Sequence, residues 1–383
     1  MKIGIVCYPT FGGSGVVATE LGKALALRGH QVHFITYSQP ARLSFFTENL
    51  FYHEVYVPTY PLFQYPPYEL ALASKMVDIV RNQGLDVLHV HYAIPHASAA
   101  FMAKQILRAE GIQIPVVTTL HGTDITLVGK DASYEPVVTF SINQSDGVTA
   151  VSEYLRRETL AHFDVEREIE VIPNFIDTQR FRRLPKDHFR QAITPNGEAL
   201  LVHVSNFRAV KRTADTVETL AQLRAEGVAV KLLLVGDGPD RVPTEHLARK
   251  LGVYEDIRFL GKQDPIEEIL SIADVFLMPS GSETFGLAAL EAMACEVPVV
   301  SSDQGGLPEL VVDGETGFLC PIGDVEAYTR AVRRILDDPD LHARMARAAR
   351  RRAADEFGLD RVIPRYEAHY EAVIARAREG VGA

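Results

Sequence analysis

The sequence predicts an α/β fold made of two Rossmann-like, doubly wound domains that face each other across a cleft. The chain has 383 residues, which is more than one ordinary domain contains and fits two. Short apolar runs alternate with segments of helical periodicity, a pattern typical of parallel sheets with helices on both faces. The alternation begins again at Ala199, so two similar halves follow one another. Ligands of such sheets bind outside the carboxyl ends of the strands, and two facing sheets would enclose a bipartite ligand.

The first half contains one clear helix and a series of predicted strands. Val16, Val17, Leu21 and Leu25 recur at helical spacing, which predicts a helix over 15–28. The predicted strands of this half are 3–8, 32–36, 86–92, 116–121, 147–151 and 169–172.

The second half follows a stretch that is predicted to be a linker. Arg180–Pro195 contains two prolines and little periodicity. The last segment, from about Asp360 to Ala377, has an apolar helical stripe that could pack on either domain. The predicted strands of this half are 200–205, 230–235, 257–260, 275–278 and 297–301.

The composition indicates a globular protein with excess negative charge. Hydrophobic residues make up 47% of the chain, and the formal net charge of −11 disfavours a fold-wide nucleic-acid surface. No apolar run approaches the roughly 18–20 residues of a membrane span, and no signal-peptide pattern precedes the first strand. Cys7, Cys295 and Cys320 lie in apolar settings and are predicted to be reduced core thiols. The cytoplasm is therefore the expected compartment.

A glycine-rich turn, Gly12-Gly13-Ser14-Gly15, lies between the first strand and the first helix. Glycines let backbone N–H groups approach an anion, and a helix N-terminus attracts negative charge, so the turn predicts an anion site. The alternative is a tight turn that requires positive φ. The spacing is not the dinucleotide motif G-x-G-x-x-G, and no acidic residue ends the next strand to hold a ribose.

Polar residues also follow two later strands of the first half. His89 and His91 share one face of their strand, so a metal pair is conceivable, but a zinc site needs three or four ligands. Pocket lining by His91 or Tyr92 is the favoured interpretation. His121-Gly122-Thr123-Asp124 leaves the carboxyl end of the next strand, where catalytic groups commonly lie, although a lone histidine is more often structural.

Two motifs of the second half carry charge at strand ends. Arg208, Lys211 and Arg212 lie within five positions after a strand, which predicts a clamp for a diphosphate. Glu283 and Glu291 flank a turn into a helix whose first N–H groups can bind phosphate. With Glu291 two turns inside that helix, it could accept hydrogen bonds from a ribose diol, while Glu283 could reach sugar hydroxyls.

These motifs together resemble the family four glycosyltransferases of the GT-B fold, and the resemblance covers essentially the whole chain. The resemblance rests mainly on the motifs Glu283-x7-Glu291, Gly236-Asp237-Gly238-Pro239 and His121-Gly122-Thr123-Asp124. Further motifs are similar to the branch of this family that glycosylates L-malate in bacillithiol biosynthesis. They are Cys7-Tyr8-Pro9-x3-Gly13-Ser14-Gly15, Ala18-Thr19-Glu20-Leu21-Gly22-Lys23, Tyr65-Pro66-Pro67-Tyr68, His91-Tyr92-Ala93-x-Pro95-His96 and Val204-Ser205-Asn206-Phe207-Arg208-x2-Lys211-Arg212.

The resemblance implies how the chain is divided and what it does. It implies an N-terminal acceptor domain over 1–175, to which a C-terminal helix at about 358–383 crosses back, and a donor domain over 176–357. The implied activity is retaining, metal-independent and cofactor-free transfer of N-acetylglucosamine from UDP-N-acetylglucosamine to the hydroxyl of L-malate. No nucleophilic carboxylate is identifiable in the first domain, so same-face attack is expected rather than double displacement.

The resemblance also implies roles for individual residues on the donor side. Arg208 and Lys211 would neutralise the diphosphate, Glu291 would hold the ribose, and His121 would contact the donor sugar near the reacting centre. Common relatives carry Gly-Arg at positions 205–206, so the arginine of the clamp must be Arg208. The implied catalytic residues are His121, Glu283, Arg208 and Lys211. The implied donor-binding residues are Gly15, Asn206, Arg208, Lys211, Gly236, Glu283, Phe285, Gly286, Leu287 and Glu291.

The malate carboxylates are expected to meet Ser14, Tyr92 and Thr119 in the first domain. Other acceptors, an inositol phosphate or a lipid, remain alternatives, as do a UDP-sugar epimerase and a nicotinamide oxidoreductase. The aromatic stretch Phe45–Tyr68 suggests a lipid surface, but 43–74 contains no Lys or Arg to meet anionic lipid. We therefore expect a mobile flap or a subunit contact there, which allows a homodimer, and no membrane insertion.

Overall fold

The computed structural model describes residues 1–43, 47–58, 61–62, 64–127 and 129–379 and divides the chain into two units. Unit 1 comprises Met1–Asn174 together with the C-terminal residues from Asp360 on, and unit 2 comprises Phe175–Leu359. The domain boundaries expected from the sequence, after residue 175 and after residue 357, lie one and two residues from these divisions.

Unit 1 contains a parallel sheet with strand order β3-β2-β1-β4-β5-β6-β7. The order reverses direction between β1 and β4, and this switch point is where open α/β sheets bind ligands. The strands are β1 Lys2–Val6, β2 Gln31–Thr36, β3 Leu50–Glu54, β4 Val87–His91, β5 Val116–Leu120, β6 Gly147–Ala150 and β7 Ile169–Val171. The helices between them are α1 Gly13–Leu27, α2 Tyr68–Gln83, α3 Ser98–Ala109, α4 Glu135–Asn143 and α5 Glu153–His162.

Unit 2 repeats the same topology with strand order β10-β9-β8-β11-β12-β13, and its switch point lies between β8 and β11. The strands are β8 Ala199–Val204, β9 Val230–Val235, β10 Ile257–Gly261, β11 Val275–Met278, β12 Val299–Ser302 and β13 Gly317–Cys320. The helices are α6 Asp187–Ile193, α7 Thr213–Ala225, α8 Arg241–Lys250, α9 Glu267–Leu270, α10 Leu287–Ala294, α11 Leu307–Leu310, α12 Val325–Asp337 and α13 Pro339–Phe357.

All the strands predicted from the sequence are present within two residues of their predicted bounds. Central strands of parallel sheets are covered on both faces and therefore read as apolar runs, which is why they were found. Two edge strands were missed. Among the described residues, strand β3 pairs only with β2 and is half-exposed, whereas β13 is four residues long and begins with a glycine.

The prediction of a linker over Arg180–Pro195 is wrong. This stretch belongs to unit 2 and contains α6. Arg180 forms an ion pair with Glu267, and the Arg190 guanidinium donates hydrogen bonds to both carboxylate oxygens of Asp274, at 3.1 and 2.7 Å. Charged anchors of this kind leave no apolar periodicity, so the sequence pattern could not distinguish the segment from a linker.

The last helix, α14 Leu359–Glu379, packs on unit 1. The predicted apolar stripe is confirmed, since Val362, Ile363, Tyr366, Tyr370 and Val373 are almost completely buried. The Tyr370 hydroxyl lies 2.7 Å from His89 Nδ1, so the helix covers the face of the sheet that carries this histidine.

Two other sequence predictions bear on this description. Cys7, Cys295 and Cys320 are buried and unpaired, as core thiols would be. Within the predicted flap Phe45–Tyr68, residues 50–54 form β3, whereas positions 45–46, 59–60 and 63 lie outside the described residues. In the described part of the chain, no helix is both long enough and apolar enough to cross a membrane.

Candidate active site

Three of the predicted residues meet at the switch point of unit 1. Ser14 lies in the first turn of α1, Tyr92 directly follows β4, and His121 directly follows β5. The Tyr92 hydroxyl donates to Ser14 Oγ at 2.6 Å, and the rings of Tyr92 and His121 have centroids 5.3 Å apart. The structure therefore brings together side chains that are 78 and 29 positions apart in the sequence.

The glycine-rich turn forms the N-terminus of α1. The helix begins at Gly13, and its first N–H groups have no intrahelical acceptor and suit an anion. Gly12 and Gly13 are exposed, whereas Gly15 is buried, and a Cβ at Gly15 would overlap the backbone carbonyl oxygens of Tyr8 and Thr10. A residue with a side chain therefore does not fit at position 15. The exposed surface of the turn is formed by Gly12 and Gly13.

Tyr92 adopts an unusual backbone conformation with φ of 86°. Such a conformation costs a non-glycine residue about 1–3 kcal/mol, so the surroundings must impose it. The Tyr92 N–H donates to the Thr119 carbonyl at 2.9 Å, and the Tyr92 carbonyl accepts from the Ala97 N–H at 3.2 Å. These bonds fix the direction of the Tyr92 side chain at the site.

Asp124 joins the two loops that carry Tyr92 and His121. Its carboxylate accepts hydrogen bonds from the N–H groups of Ala93, at 2.9 Å, and Gly122, at 3.1 Å. Burial raises the pKa of Asp124 to about 6, although these backbone hydrogen bonds act in the opposite direction. The sequence marked Asp124 only as a polar neighbour of His121, because its partners are backbone groups that no side-chain pattern reveals.

The structure does not place the Thr119 side chain at this site, which corrects its predicted role as an acceptor contact. In β5, Thr119 pairs with His91 of β4 and lies on the face covered by α14, where it is completely buried. Its hydroxyl lies 2.7 Å from His89 Nε2 and 2.6 Å from Thr149 Oγ1. Both contacts satisfy the hydroxyl inside the unit, so the Thr119 side chain is not an acceptor contact.

His121 lies at the edge of the buried layer that His89, His91 and Thr119 form, and it is uncharged near neutral pH. Burial lowers the pKa of His121 to about 3. A neutral imidazole offers one donor and one acceptor, so His121 can hydrogen-bond a substrate but cannot supply a positive charge. Its Nε2 lies 2.7 Å from Nδ1 of His91.

At the switch point of unit 2, the segment with Arg208, Lys211 and Arg212 (the cation motif) lies against the segment 283–291 (the glutamate motif). Lys211, after β8, places Nζ 2.5 Å from Oε1 of Glu283, after β11. The two side chains are 20% and 12% exposed. A charge pair that is largely withdrawn from water interacts more strongly than a surface pair and makes a defined electrostatic centre.

The other residues of this loop differ in whether their side chains are bonded within the protein or exposed to solvent. Arg212 donates two hydrogen bonds to Asp215, at 2.7 and 3.1 Å. Asn206 and Arg208 are exposed, and among the described residues the Arg208 side chain forms no hydrogen bond or ion pair, whereas its carbonyl accepts from the Lys211 N–H at 2.7 Å. Gly236 packs directly on this loop, because a Cβ there would overlap the carbonyl oxygen of Ser205.

The glutamate motif opens α10 through a left-handed residue. Gly286 has φ of 98°, which favours glycine, and the helix begins at Leu287. The Phe285 ring is buried and lies edge-on against Phe357, with centroids 5.5 Å apart, so only its backbone can serve a ligand. Glu291 is buried and lies about one turn inside the helix, not two turns as predicted, because the helix starts later.

Potential metal ligands are dispersed in the described residues, where no group of three or more His, Cys, Asp or Glu is arranged to hold a metal ion. The His89 and His91 pair is engaged otherwise. His89 contacts Tyr370 and Thr119 through its two ring nitrogens, and His91 contacts His121 through Nδ1.

Comparison with known proteins gives a consistent result for both units. Residues 11–180 match the family described as Glycosyltransferase Family 4, and residues 185–352 match the family described as Glycosyl transferases group 1. The N-acetyl-alpha-D-glucosaminyl L-malate synthase of Bacillus anthracis is 45% identical over 381 residues, which is 99% of each chain. The 2-deoxystreptamine glucosyltransferase of Streptomyces kanamyceticus is 28% identical over 323 residues, which cover 80% of this chain and 83% of the relative.

Solved structures share the fold of the whole chain. HepE of Anabaena, in complex with UDP and glucose, superposes with a TM-score of 0.82 at 21% identity, over 96% of this chain and 98% of HepE. A sucrose-phosphate synthase from Thermosynechococcus elongatus superposes with a TM-score of 0.80 at 23% identity, over 98% of this chain and 100% of the synthase. The predicted fold class, two Rossmann-like domains of the GT-B type, is confirmed.

Proposed function

This chain belongs to the group 1 and family 4 glycosyltransferases, and we propose that it transfers N-acetylglucosamine from UDP-N-acetylglucosamine to the hydroxyl of L-malate. The observation that carries the proposal is the 45% identity with the N-acetyl-alpha-D-glucosaminyl L-malate synthase of Bacillus anthracis over 99% of both chains. The residues to which we assign the substrates follow strands at the switch points of the two sheets, where ligands of open α/β sheets bind.

The donor is assigned to unit 2. Lys211 has three N–H donors and uses one toward Glu283, which leaves two for oxygens of the diphosphate. The exposed Arg208 supplies a second cation, and the N-terminus of α10, with the amides of 285–287, supplies a third positive region. Glu291, inside α10, is assigned to the ribose hydroxyls. Asn206 and Gly236 lie in the loops that follow β8 and β9, which pack against each other, and both are assigned to donor binding.

The same groups support a reaction that needs no metal ion. A divalent cation in sugar-nucleotide transfer neutralises the diphosphate as the bond to the sugar breaks. Lys211, Arg208 and the α10 N-terminus can provide that stabilisation from fixed positions. Metal independence is therefore part of the proposal, and its basis is the positive charge that these residues supply.

The acceptor is assigned to unit 1. The amides of Gly13 and Ser14 at the start of α1 suit one carboxylate of malate. The Ser14 hydroxyl accepts from Tyr92, so its own proton is available to a second anionic oxygen. Buried carboxylates require such partners, because a charge that is removed from water without them costs several kcal/mol.

The proposed chemistry retains the configuration at the anomeric carbon. The malate hydroxyl oxygen bonds to that carbon on the face from which UDP departs, the bond from the carbon to the phosphate oxygen breaks, and the hydroxyl proton passes to the leaving β-phosphate. Glu283 accepts hydrogen bonds from sugar hydroxyls beside Lys211. His121, being neutral, hydrogen-bonds the transferred sugar near the reacting carbon.

The proposal is tested by measuring UDP release from UDP-N-acetylglucosamine with L-malate, inositol phosphate or water, each with and without EDTA. We expect release that depends on malate, survives EDTA and yields an α-linked product in the proton NMR spectrum. Preference for inositol phosphate would replace the acceptor assignment. Consumption of the donor without UDP release would indicate an epimerase instead, and rescue of EDTA-treated protein by Mg²⁺ would contradict the metal-independent mechanism.

A second prediction concerns the acceptor site. Ser14→Ala removes one hydrogen-bond donor from a carboxylate, a contact worth about 1–3 kcal/mol. The KM for malate should therefore rise several-fold, while the dissociation constant of UDP, measured by calorimetry, stays unchanged.

The matched control is Ser74→Ala, because Ser74 is an exposed helical serine of the same unit that bonds only its own helix. An unchanged malate KM in Ser14→Ala, or an equal effect in Ser74→Ala, would remove Ser14 from the acceptor site.

A further inference from the structure

The contact between His91 and His121 is a direct bond between two buried imidazoles. His91 Nδ1 lies 2.7 Å from His121 Nε2, and the rings are stacked with centroids 5.0 Å apart. His91 is completely buried and His121 is 8% exposed. The assigned donor and acceptor contacts make no use of His91, although it touches the histidine assigned to the transferred sugar.

A single proton must occupy this bond. Burial lowers the pKa of His91 well below its ordinary value and that of His121 to about 3, so both rings are neutral near pH 7. A neutral imidazole has one N–H and one lone pair. Either His91 donates from Nδ1, or His121 donates from Nε2.

The second nitrogen of His91 distinguishes the two arrangements. His91 Nε2 is buried and has no hydrogen-bond partner among the described residues. If His91 accepted through Nδ1, its proton would lie on Nε2 as a buried N–H without an acceptor. Buried donors without partners are rarer in proteins than under-satisfied acceptors, which favours a lone pair at Nε2. His91 then donates from Nδ1, and His121 carries its own proton on Nδ1.

We propose that His91 is a positioning residue that holds His121 in the tautomer protonated on Nδ1. The inference rests on the proposed function, in which His121 hydrogen-bonds the transferred sugar. In that tautomer His121 acts through an N–H donor, which suits a hydroxyl oxygen. Its ring plane is fixed at the same time, because Nε2 is engaged by His91.

Two further contacts hold His91 in place. Its ring packs on His89 with centroids 4.4 Å apart, and its carbonyl oxygen lies 2.5 Å from His96 Nδ1. His89 in turn is held through both ring nitrogens, each at 2.7 Å from its partner, by the Tyr370 hydroxyl on α14 and by Thr119 Oγ1. The layer beneath His121 is therefore a fixed support that includes the C-terminal helix.

The test compares two substitutions at His91. His91→Asn keeps an N–H donor near the position of Nδ1, whereas His91→Leu fills similar space without a donor. Loss of a partner that orients a metal-ligating histidine typically costs about 10- to 100-fold, and we take the same range for the partner of His121. We expect kcat for malate glycosylation to fall by that factor in His91→Leu, with KM for both substrates within about threefold, and to recover to within about threefold of the wild type in His91→Asn.

The decisive measurement is the long-range ¹H–¹⁵N spectrum of histidine-labelled protein. The His121 signals are assigned by their loss in His121→Gln. We expect Nδ1 protonation of His121 in the wild type and in His91→Asn, and a changed pattern in His91→Leu. Nε2 protonation in the wild type would overturn the proposal without reference to any substrate, even if His91→Leu failed to fold.

His33 offers a matched control in the same unit. It is a buried histidine whose Nδ1 lies 2.9 Å from another histidine, His53, and its Nε2 lacks a partner among the described side chains. His33→Leu should leave the His121 spectrum and kcat unchanged. Equal losses of kcat in His91→Leu, His91→Asn and His33→Leu would reduce His91 to a packing residue. If the wild-type protein did not glycosylate malate, the proposed function would fail, while the spectrum would still decide the tautomer.

Discussion

Replacing Lys211 by alanine is expected to lower kcat/KM for sugar transfer by about 10²–10³-fold, the range seen when one fixed group that stabilises transition-state charge is removed. Two effects add in this variant. The diphosphate loses a cation as negative charge develops on it. Glu283, only 12% exposed, loses its partner at 2.5 Å and becomes an uncompensated carboxylate beside the phosphates. Steady-state kinetics and calorimetric UDP binding measure both effects.

A second lysine of unit 2 distinguishes the loss of the Lys211 charge from a non-specific effect of the substitution. Lys186→Ala is the control in unit 2, because Lys186 pairs with Glu268 at 3.2 Å on a more exposed surface. Such pairs contribute only about 0–1 kcal/mol, so its kinetics should be those of the wild type. The double variant Lys211→Ala/Glu283→Gln removes the uncompensated charge and should bind UDP more tightly than Lys211→Ala alone. Wild-type kcat/KM in Lys211→Ala would exclude Lys211 from the donor site.

The free energy of unfolding is expected to fall by several kcal/mol as the pH is lowered from about 6.5 to about 4.5. Burial is the largest cause that lowers the pKa values of five histidines, to about 3 or 4 from an ordinary 6.5. The unfolded chain therefore binds protons first, and each histidine removes up to about 1.4 kcal/mol per pH unit in this window. The five are His33, His89, His96, His121 and His203.

One buried carboxyl acts in the opposite direction. Burial raises the pKa of Asp124 from 3.8 to about 6, so the folded state takes up this proton first and gains stability as the pH falls through that window. A single carboxyl offsets about one histidine, so the net effect remains a loss. Urea unfolding followed at several pH values measures the slope.

The control for acid unfolding is Ser74→Ala, because Ser74 is exposed, carries no titratable group and should leave the slope unchanged. A free energy of unfolding that stays constant between about pH 6.5 and about pH 4.5 would mean that the buried histidines do not titrate as their environment requires.

The sequence was sufficient wherever the signal was local. Apolar runs located the central strands, and the 3.6-residue period located α1 and the buried stripe of α14. The polar residues that follow these strands include His121, Lys211 and Glu283, because the carboxyl ends of parallel strands converge at one edge of a sheet. The edge strand β3 was missed because one-sided pairing leaves it half-exposed and removes the apolar signal.

The sequence by itself determined the fold class and the positions at which functional groups leave the strands, since both follow from apolar runs and helical periods and from their order along the chain. Only the tertiary structure decided which of those groups meet. Thr119 and His121 are two positions apart, yet packing of α14 over β5 buries the Thr119 hydroxyl against His89, while His121 remains at the edge of that layer. Lys211 pairs with Glu283, 72 positions away in the sequence, because the strands that precede them, β8 and β11, are neighbours in the sheet. Strand order and helix packing depend on the burial of the whole chain, and no local period encodes them.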